Sequence, residues 1–327
     1  MTKLPHRRQF LHLAAGGLAL PAVSRLAKAQ AYPTRPVRIL VGFAAGGGAD
    51  IFARLIGQWL SERLGQQFIV ENRLGASSNI AVEAAVKAAP DGYTLVVVGT
   101  PNAVNATLFE KLNFNVVRDI APVAGVIQQP NAMLVNASLP TQTVPEFIAH
   151  AKTNSGRINF GSGGSGSTPH VAGELFKMMA GVEMVHVPYR GEAPALTDLL
   201  GGRLQLVFGG IPSSAAHLKA GTLRALAVTT AARSEALPDV PSLSEYLPNY
   251  EASYRGGIGA PKNTPTEIID KLNKEINAAL GDANMKAKLV EMGAIPLAGS
   301  PEAFGKIMVE ETEKWAKVVK FAGLKPQ

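Results

Sequence analysis

From residue 37 onward the chain alternates short continuous apolar runs with longer segments whose apolar positions recur every three to four residues. VRILVGF (37–43) predicts a buried strand. The segment after it places Ile51, Phe52, Leu55, Ile56, Trp59 and Leu60 on one helical face and ends at Gly65. QFIVEN predicts a second strand, NIAVEAAVKAAPDG a helix closed by Pro90 and Gly92, and YTLVVVG (93–99) a third strand.

The middle of the chain repeats this order. INFGS runs into GGSGSTPHVAGELFKMMAG, with Thr168 expected as the helix cap and Pro169 as the first helical residue. MVHVPYRG leads into EAPALTDLLGG and LQLVFGG into IPSSAAHLKAG, and LRALAVTT closes the series. Strands alternating with helices imply an α/β class with parallel sheets covered by helices. The last quarter reads as mostly helical. Thr264-Pro265-Thr266-Glu267 has capping-box spacing, and Ser300-Pro301 opens a final helix reaching about Phe321. A helix at the chain end is expected to dock on a body already built.

Composition fits a folded protein with room for two domains: 327 residues, 46% hydrophobic and 17% charged. The formal charge of +7 is local. Lys3, Arg7, Arg8, Arg25 and Lys28, with no acid among residues 1–31, account for +5 and leave +2 for the rest. A surface for nucleic acid is therefore not indicated. Those residues, with an apolar run from Phe10 to Val23 and small residues at Ala27, Ala29 and Ala31, read as a cleavable export signal. Arg7 to Leu11 resembles the twin-arginine motif. The run is too short for a membrane span, which needs about 20 residues, and cleavage is expected after Ala29 or Ala31. The chain has no cysteine, which removes disulfides, thiolate nucleophiles and Cys-based metal sites.

Candidate chemistry lies where strands end in Gly- or Ser-rich turns: FAAGGGAD (43–50), GSGGSGST (161–168), YRG (189–191) and FGG (208–210). In parallel α/β sheets, ligands bind beyond the carboxyl ends of the strands. Glycine lets backbone N–H groups approach closely, and a following helix N-terminus favours an anion. YRG and FGG suit ordinary tight turns. Three consecutive glycines, and Ser162, Ser165, Ser167 and Thr168 among four glycines, exceed what tightness requires and point to ligand contact. Asp50, in the first helical turn, suits the helix dipole better than a ligand. Arg190 and Arg255 could each hold a carboxylate or a surface ion pair.

Other motifs fail. Ile51 stands where GxGxxG needs its third glycine, no glycine precedes Lys-Ser/Thr, and there is no GxSxG or HExxH. Of His150, His170, His186 and His217, His170 alone adjoins a suspected site, and no acid–base set or metal site can be assembled. No catalytic residue, cofactor or metal is expected.

Beyond these local readings, RPVRILVGFAAGGGADIFARLIGQWLSERLGQQFIVENRLGASSNIAVEAAVKAAPDGYTL resembles the Bug family, the extracytoplasmic solute receptors of tripartite tricarboxylate transporters. INFGSGGSGSTPHVAGELF, VHVPYRGEAPALTDLLGGRLQLVF, HLKAGTLRALAVT, LPDVPSLSE and APKNTPTEIIDKLN continue the likeness in order. The resemblance implies a periplasmic-binding-protein fold, two α/β domains around a ligand cleft joined by a hinge. It implies residues 32–132 plus 253–327 as domain 1 and 133–252 as an inserted domain 2, in a soluble periplasmic protein. It further implies a small carboxylate ligand and delivery to the membrane components of such a transporter, and nothing demands more than a monomer. Carried onto this chain, the ligand-binding residues are Phe43, Ala44, Ala45, Gly46, Gly47, Gly48 and Asp50 in the first element. The second supplies Ser162, Gly163, Gly164, Ser165, Ser167, Thr168 and His170, with Ser77, Ser78, Asn79, Thr100 and Tyr189 also lining the cleft.

Two departures from the family pattern bear on specificity. Gly209-Gly210 stands where many relatives carry Asp-Asn, and Arg255-Gly256 where many carry Trp-Phe or Trp-Tyr. An acid lost and an arginine gained would favour a non-amino, multiply charged carboxylate; alternatively the glycines widen the pocket for a bulkier or aromatic acid. The competing readings are an exported enzyme acting on a small acid, and a ligand sensor for a signalling kinase.

Overall fold

The computed structural model describes residues 32–109 and 111–325. The expected export segment, residues 1–31, lies outside the described residues. In chain order the strands are β1 (Val37–Val41), β2 (Phe68–Asn72), β3 (Thr94–Gly99), β4 (Ile120–Gln129), β5 (Asn131–Asn136) and β6 (Asn159–Ser162). They continue with β7 (Val185–Pro188), β8 (Leu206–Gly210), β9 (Leu223–Val228), β10 (Tyr254–Pro261) and β11 (Ile295–Pro296).

They form two sheets. One has the order β11-β4-β10-β3-β1-β2, the other β7-β6-β8-β5-β9. The all-parallel expectation is corrected. β1 is parallel to β2 and β3, and β6 to β7 and β8, but β10 runs antiparallel to both β3 and β4, and β5 antiparallel to both β8 and β9. The antiparallel members are the strands that carry the chain between sheets. It leaves the first sheet between Gln129 and Asn131 and re-enters it at Tyr254. A crossing strand must enter its sheet from the end that faces the other sheet, whereas each strand–helix unit starts from the far end. The strand patterns alone do not encode that reversal.

In consequence, the carboxyl ends of the parallel strands in both sheets point toward the same gap. β1 runs into the helix Gly48–Leu64, β3 into Thr100–Leu108, β6 into Thr168–Ala180, β7 into Glu192–Leu200 and β8 into Ile211–Lys219.

The final helix, Pro301–Phe321, starts where the sequence placed it, with Ser300 Oγ accepting the Ala303 N–H at 3.2 Å. Phe304, Met308, Glu311, Trp315 and Val318 form its buried stripe. It packs on Thr100–Leu108 of the first unit and on Thr168–Ala180 of the second. One hydrophobic cluster therefore runs from Val104 through Trp315 to Phe160 and Phe176. Two capping expectations are corrected. Thr264 Oγ1 donates to the Pro261 carbonyl at 2.7 Å, and the helix Thr266–Gly281 begins after Pro265 with no side-chain cap. Ser167, not Thr168, caps Thr168–Ala180.

Trp315 is fully buried and its indole N–H donates to Glu311 Oε2 at 2.7 Å. Trp315→Ala therefore removes packing at the junction of the two units. Urea denaturation should show a loss of about 3–5 kcal/mol, and a loss below about 1 kcal/mol would mean that the final helix is not part of the core.

Candidate binding cleft

The gap between the sheets is a cavity of about 680 Å³, within the usual range for small-molecule sites. Phe43, Gly47, Gly48 and Ala49 line it from the first unit, and Gly163, Gly164, Ser165, Ser167 and Thr168 from the second. The turn after β1 is built by Asp50. Its carboxylate accepts from the Gly46 N–H at 2.9 Å, from Arg54 Nε and Nη2 at 2.9 Å each, and from Asn72 Nδ2 at 2.8 Å. Asn72 Nδ2 also donates to the Phe43 carbonyl at 2.9 Å. The Arg54 hydrogen bonds, with those from Gly46 and Asn72, hold the Asp50 carboxyl down at about 2 against its burial. Gly47 in the capping position offers no side-chain oxygen. The first amides of the helix, Gly48 and Ala49, thus lack an intrahelical acceptor at the cavity wall.

The second turn is built differently. Ser167 Oγ donates to the Gly164 carbonyl at 2.7 Å, and the Gly166 N–H donates to His170 Nδ1 at 3.0 Å. Gly164 and Gly166 have φ of 134° and 76°, a region that glycine enters without a steric penalty. Beneath the turn, the His170 and His186 rings stack with centroids 3.6 Å apart, and His186 Nε2 lies 2.7 Å from Ser162 Oγ. Burial, with the neighbouring His186 and then Lys177, pushes His170 down to about 3. Burial and Lys177 push His186 down to about 4. Both rings are neutral scaffolding.

A third wall is strained. Ala76, Ser77 and Ser78 all have positive φ, at 46°, 51° and 79°, a conformation costing roughly 1–2 kcal/mol per non-glycine residue. Asn105 Nδ2 holds the turn through the Ser77 carbonyl at 2.7 Å and Asn79 Oδ1 at 3.0 Å. Gly42 lets the turn sit against β1, since a Cβ there would lie 2.2 Å from Ser78 Oγ. Ala76 and Ser77 reach the cavity. The hydroxyls of Ser77, Ser165 and Thr168 make no hydrogen bond within the described residues and are open to a ligand.

Of the residues expected at the site, the structure brings Phe43, Gly47, Gly48, Ser77, Gly163, Gly164, Ser165, Ser167, Thr168 and Gly210 to the cavity wall. The others lie off the cavity lining. Ala44, Ala45 and Gly46 are exposed in the first turn without lining the cavity. Asp50, Ser78, Asn79, Ser162 and His170 are buried behind the wall, supporting it. Tyr189 turns its hydroxyl away to Asp198 at 2.7 Å, and burial with that bond pushes its phenol up to about 12. Thr100 accepts the Arg255 N–H at 2.9 Å and donates to Glu311 at 3.2 Å.

Both specificity expectations also change. Arg255 is paired with Glu251 and, at 3.3 Å, with Glu311, outside the cavity lining. Arg190 is exposed and likewise outside it. The cleft has not lost its acid either. Glu192 reaches over the Gly209-Gly210 pair, where a Cβ on Gly209 would lie 2.8 Å from Glu192 Oε1. Sequence reasoning missed Glu192, Gln129, Asn131 and Tyr254, and the apolar wall of Pro101, Leu108 and Phe109. Gln129 and Asn131 flank the crossing proline, and two polar amides there were the available signal. Glu192 directly follows the YRG turn and could have been weighed with it.

With this geometry in place, comparison with known proteins is decisive. Residues 52–324 match the tripartite tricarboxylate transporter family receptor. The chain belongs to this family. Rpa4515 of R. palustris, solved with adipate, is 40% identical; the match covers 90% of this chain and 100% of that one, with a TM-score of 0.79. The periplasmic binding protein BugD is 30% identical over 90% of this chain and 100% of its own, with a TM-score of 0.75. MatC of Rhodopseudomonas palustris, solved with malate, is also 30% identical, covering 88% of this chain and 100% of that one with a TM-score of 0.75. The Bug-family resemblance therefore holds, and the fold is the periplasmic-binding-protein type, two α/β domains around a ligand cleft. These relatives are solute-binding receptors, and the family's members are periplasmic.

Two predictions follow from how the turns are built. Gly42→Ala would force the 76–78 turn off β1. Unfolding should show a loss of about 1–3 kcal/mol, and an unchanged midpoint would mean that the turn relaxes freely. The two neutral histidines set a pH dependence. Their folded values of about 3 and 4 lie below the ordinary 6.5, so the unfolded chain binds more protons once pH drops below 6.5. The stability they carry is complete above that value and is lost as pH falls through about 4. Denaturation midpoints of His186→Phe should decline less steeply than wild type between about pH 6.5 and about pH 4. Parallel slopes would refute the assignment.

Proposed function

We propose that the chain is an exported solute receptor that holds the carboxylate of a small organic acid between residues 43–48 and 163–168. The observation that carries this reading is the meeting of uncapped helix amides with the free hydroxyls of Ser165 and Thr168 in one cavity drawn from both sheets. Such donors grip an oxyanion without a cationic side chain. Rpa4515 with adipate and MatC with malate supply the chemical precedent. Residues 32–132 plus 253–327 and the inserted 133–252 act as the two lobes, and closure over the acid buries it between them. The closed form is what the membrane components of a tripartite tricarboxylate transporter recognise, so ligand acts by binding that form more tightly. The export segment is removed near Ala29 or Ala31, and the mature protein works as a monomer that returns its ligand unchanged.

A thermal-shift screen of linear mono- and dicarboxylates, hydroxy acids and amino acids tests the reading. A true ligand at a hundredfold excess over its Kd should add about 2.7 kcal/mol of stability and be recovered intact after incubation. Thr168→Val should weaken it about tenfold while leaving the melting temperature of the free protein nearly unchanged. A screen in which no acid moves the transition, or one in which an acid is consumed, sinks the proposal.

A further inference from the structure

The charge inside the cleft points to a ligand class narrower than carboxylates at large. Among the described cavity-lining residues, Glu192 is the one acidic or basic side chain; the rest are glycines, hydroxyls, amides, Tyr254 and apolar groups. Its carboxylate is held rigidly. Oε1 accepts the Gly210 N–H at 2.6 Å and the Ser213 hydroxyl at 2.8 Å. Oε2 accepts no hydrogen bond from the described residues, and no cationic side chain among them pairs with Glu192. The bare backbone of Gly209 and Gly210 makes the room, because a Cβ on Gly210 would lie 3.4 Å from Oε2 and one on Gly209 would press on both Oε1 and Leu134.

The cleft thus offers two opposed chemistries. The turns at 43–48 and 163–168 present donors, which suit a carboxylate. Glu192, at the start of the helix after β7, presents an acceptor with a full negative charge and an oxygen to spare. A ligand with a carboxylate at each end would set one of them against Glu192 with no cation between, and like charges brought together out of water repel strongly. A ligand with a carboxylate at one end and an ammonium or hydroxyl at the other satisfies both. We propose that Glu192 determines specificity by binding the donor-bearing end of an amino- or hydroxy-carboxylic acid and rejecting a second carboxylate there. This rests on the carboxylate-receptor reading of the same cleft.

The test is titration calorimetry on the mature protein and on Glu192→Gln. Four end-group series would be used, each spanning about four to eight carbons: α,ω-dicarboxylates, ω-amino acids, ω-hydroxy acids and plain monocarboxylates. Gln keeps an oxygen for the Gly210 N–H, and the variant's melting temperature, unchanged within about two degrees, reports that the turn is intact. Wild type should bind its best amino or hydroxy acid at least about tenfold more tightly than the dicarboxylate of equal length. Glu192→Gln should erase that preference and improve dicarboxylate binding. Wild type favouring a dicarboxylate, or a ranking that Glu192→Gln leaves alone, overturns the role of Glu192 while the receptor reading stands. Absence of binding by every acid overturns both.

Discussion

Everything at the cleft depends on how the chain is fastened where it crosses between sheets, and the fastening is a buried carboxylate. Glu311, on the final helix, has a side chain only 2% exposed. It accepts from Thr100 at the end of β3, from Trp315 on its own helix, from Arg255 on the returning strand β10, and from Lys314. A carboxylate removed from water is tolerated only when its acceptor sites are filled by good donors, and losing one partner of such a set typically costs 3–5 kcal/mol. Those donors come from three separate parts of the chain. Satisfying Glu311 therefore fixes the final helix, the returning strand and the wall helix Thr100–Leu108 relative to one another. The Arg255 guanidinium is thereby a structural member, paired with Glu311 and Glu251 outside the cavity lining.

The cleft follows the same economy of donors. Asp50 uses both oxygens to shape the first turn, and the His170–His186 pair underlies the second. The groups that organise each turn sit one layer behind the groups that face the cavity. Among the described residues the wall is left with amides, the open hydroxyls of Ser77, Ser165 and Thr168, apolar groups and the Glu192 carboxylate. Rigid support behind such a surface would let a common scaffold serve different acids, with selectivity carried on the proposed reading by a few wall positions such as Glu192.

Much of this was legible in the sequence, and the limits are physical. The strand–helix alternation, the two Gly-rich turns and the docking role of the last helix are local patterns, and local patterns survive folding. The antiparallel crossing strands were not legible, because β5 and β10 look like any buried strand until the second sheet gives them a direction. Side-chain facing was the other gap. Asp50, Ser162 and His170 stand in the right segments but point inward, and a turn's spacing does not say which of its hydroxyls faces the ligand. Glu192 was hidden for the reverse reason. The glycine pair at 209–210 suggested a missing acid, whereas Glu192, at a neighbouring strand end, sets a carboxylate over that pair, a contact in space with no signature in linear order.

The absence of a cationic side chain among the described residues of the cavity wall has one more consequence. Ion pairs at a protein surface weaken as salt accumulates around them. Fixed peptide dipoles, enclosed between two sheets and carrying no mobile countercharge, are screened far less. On the proposed reading, a receptor that grips its acid through Gly48, Ala49 and the 163–168 turn would therefore work across a wide range of ionic strength, including surroundings whose salt content the cell does not set.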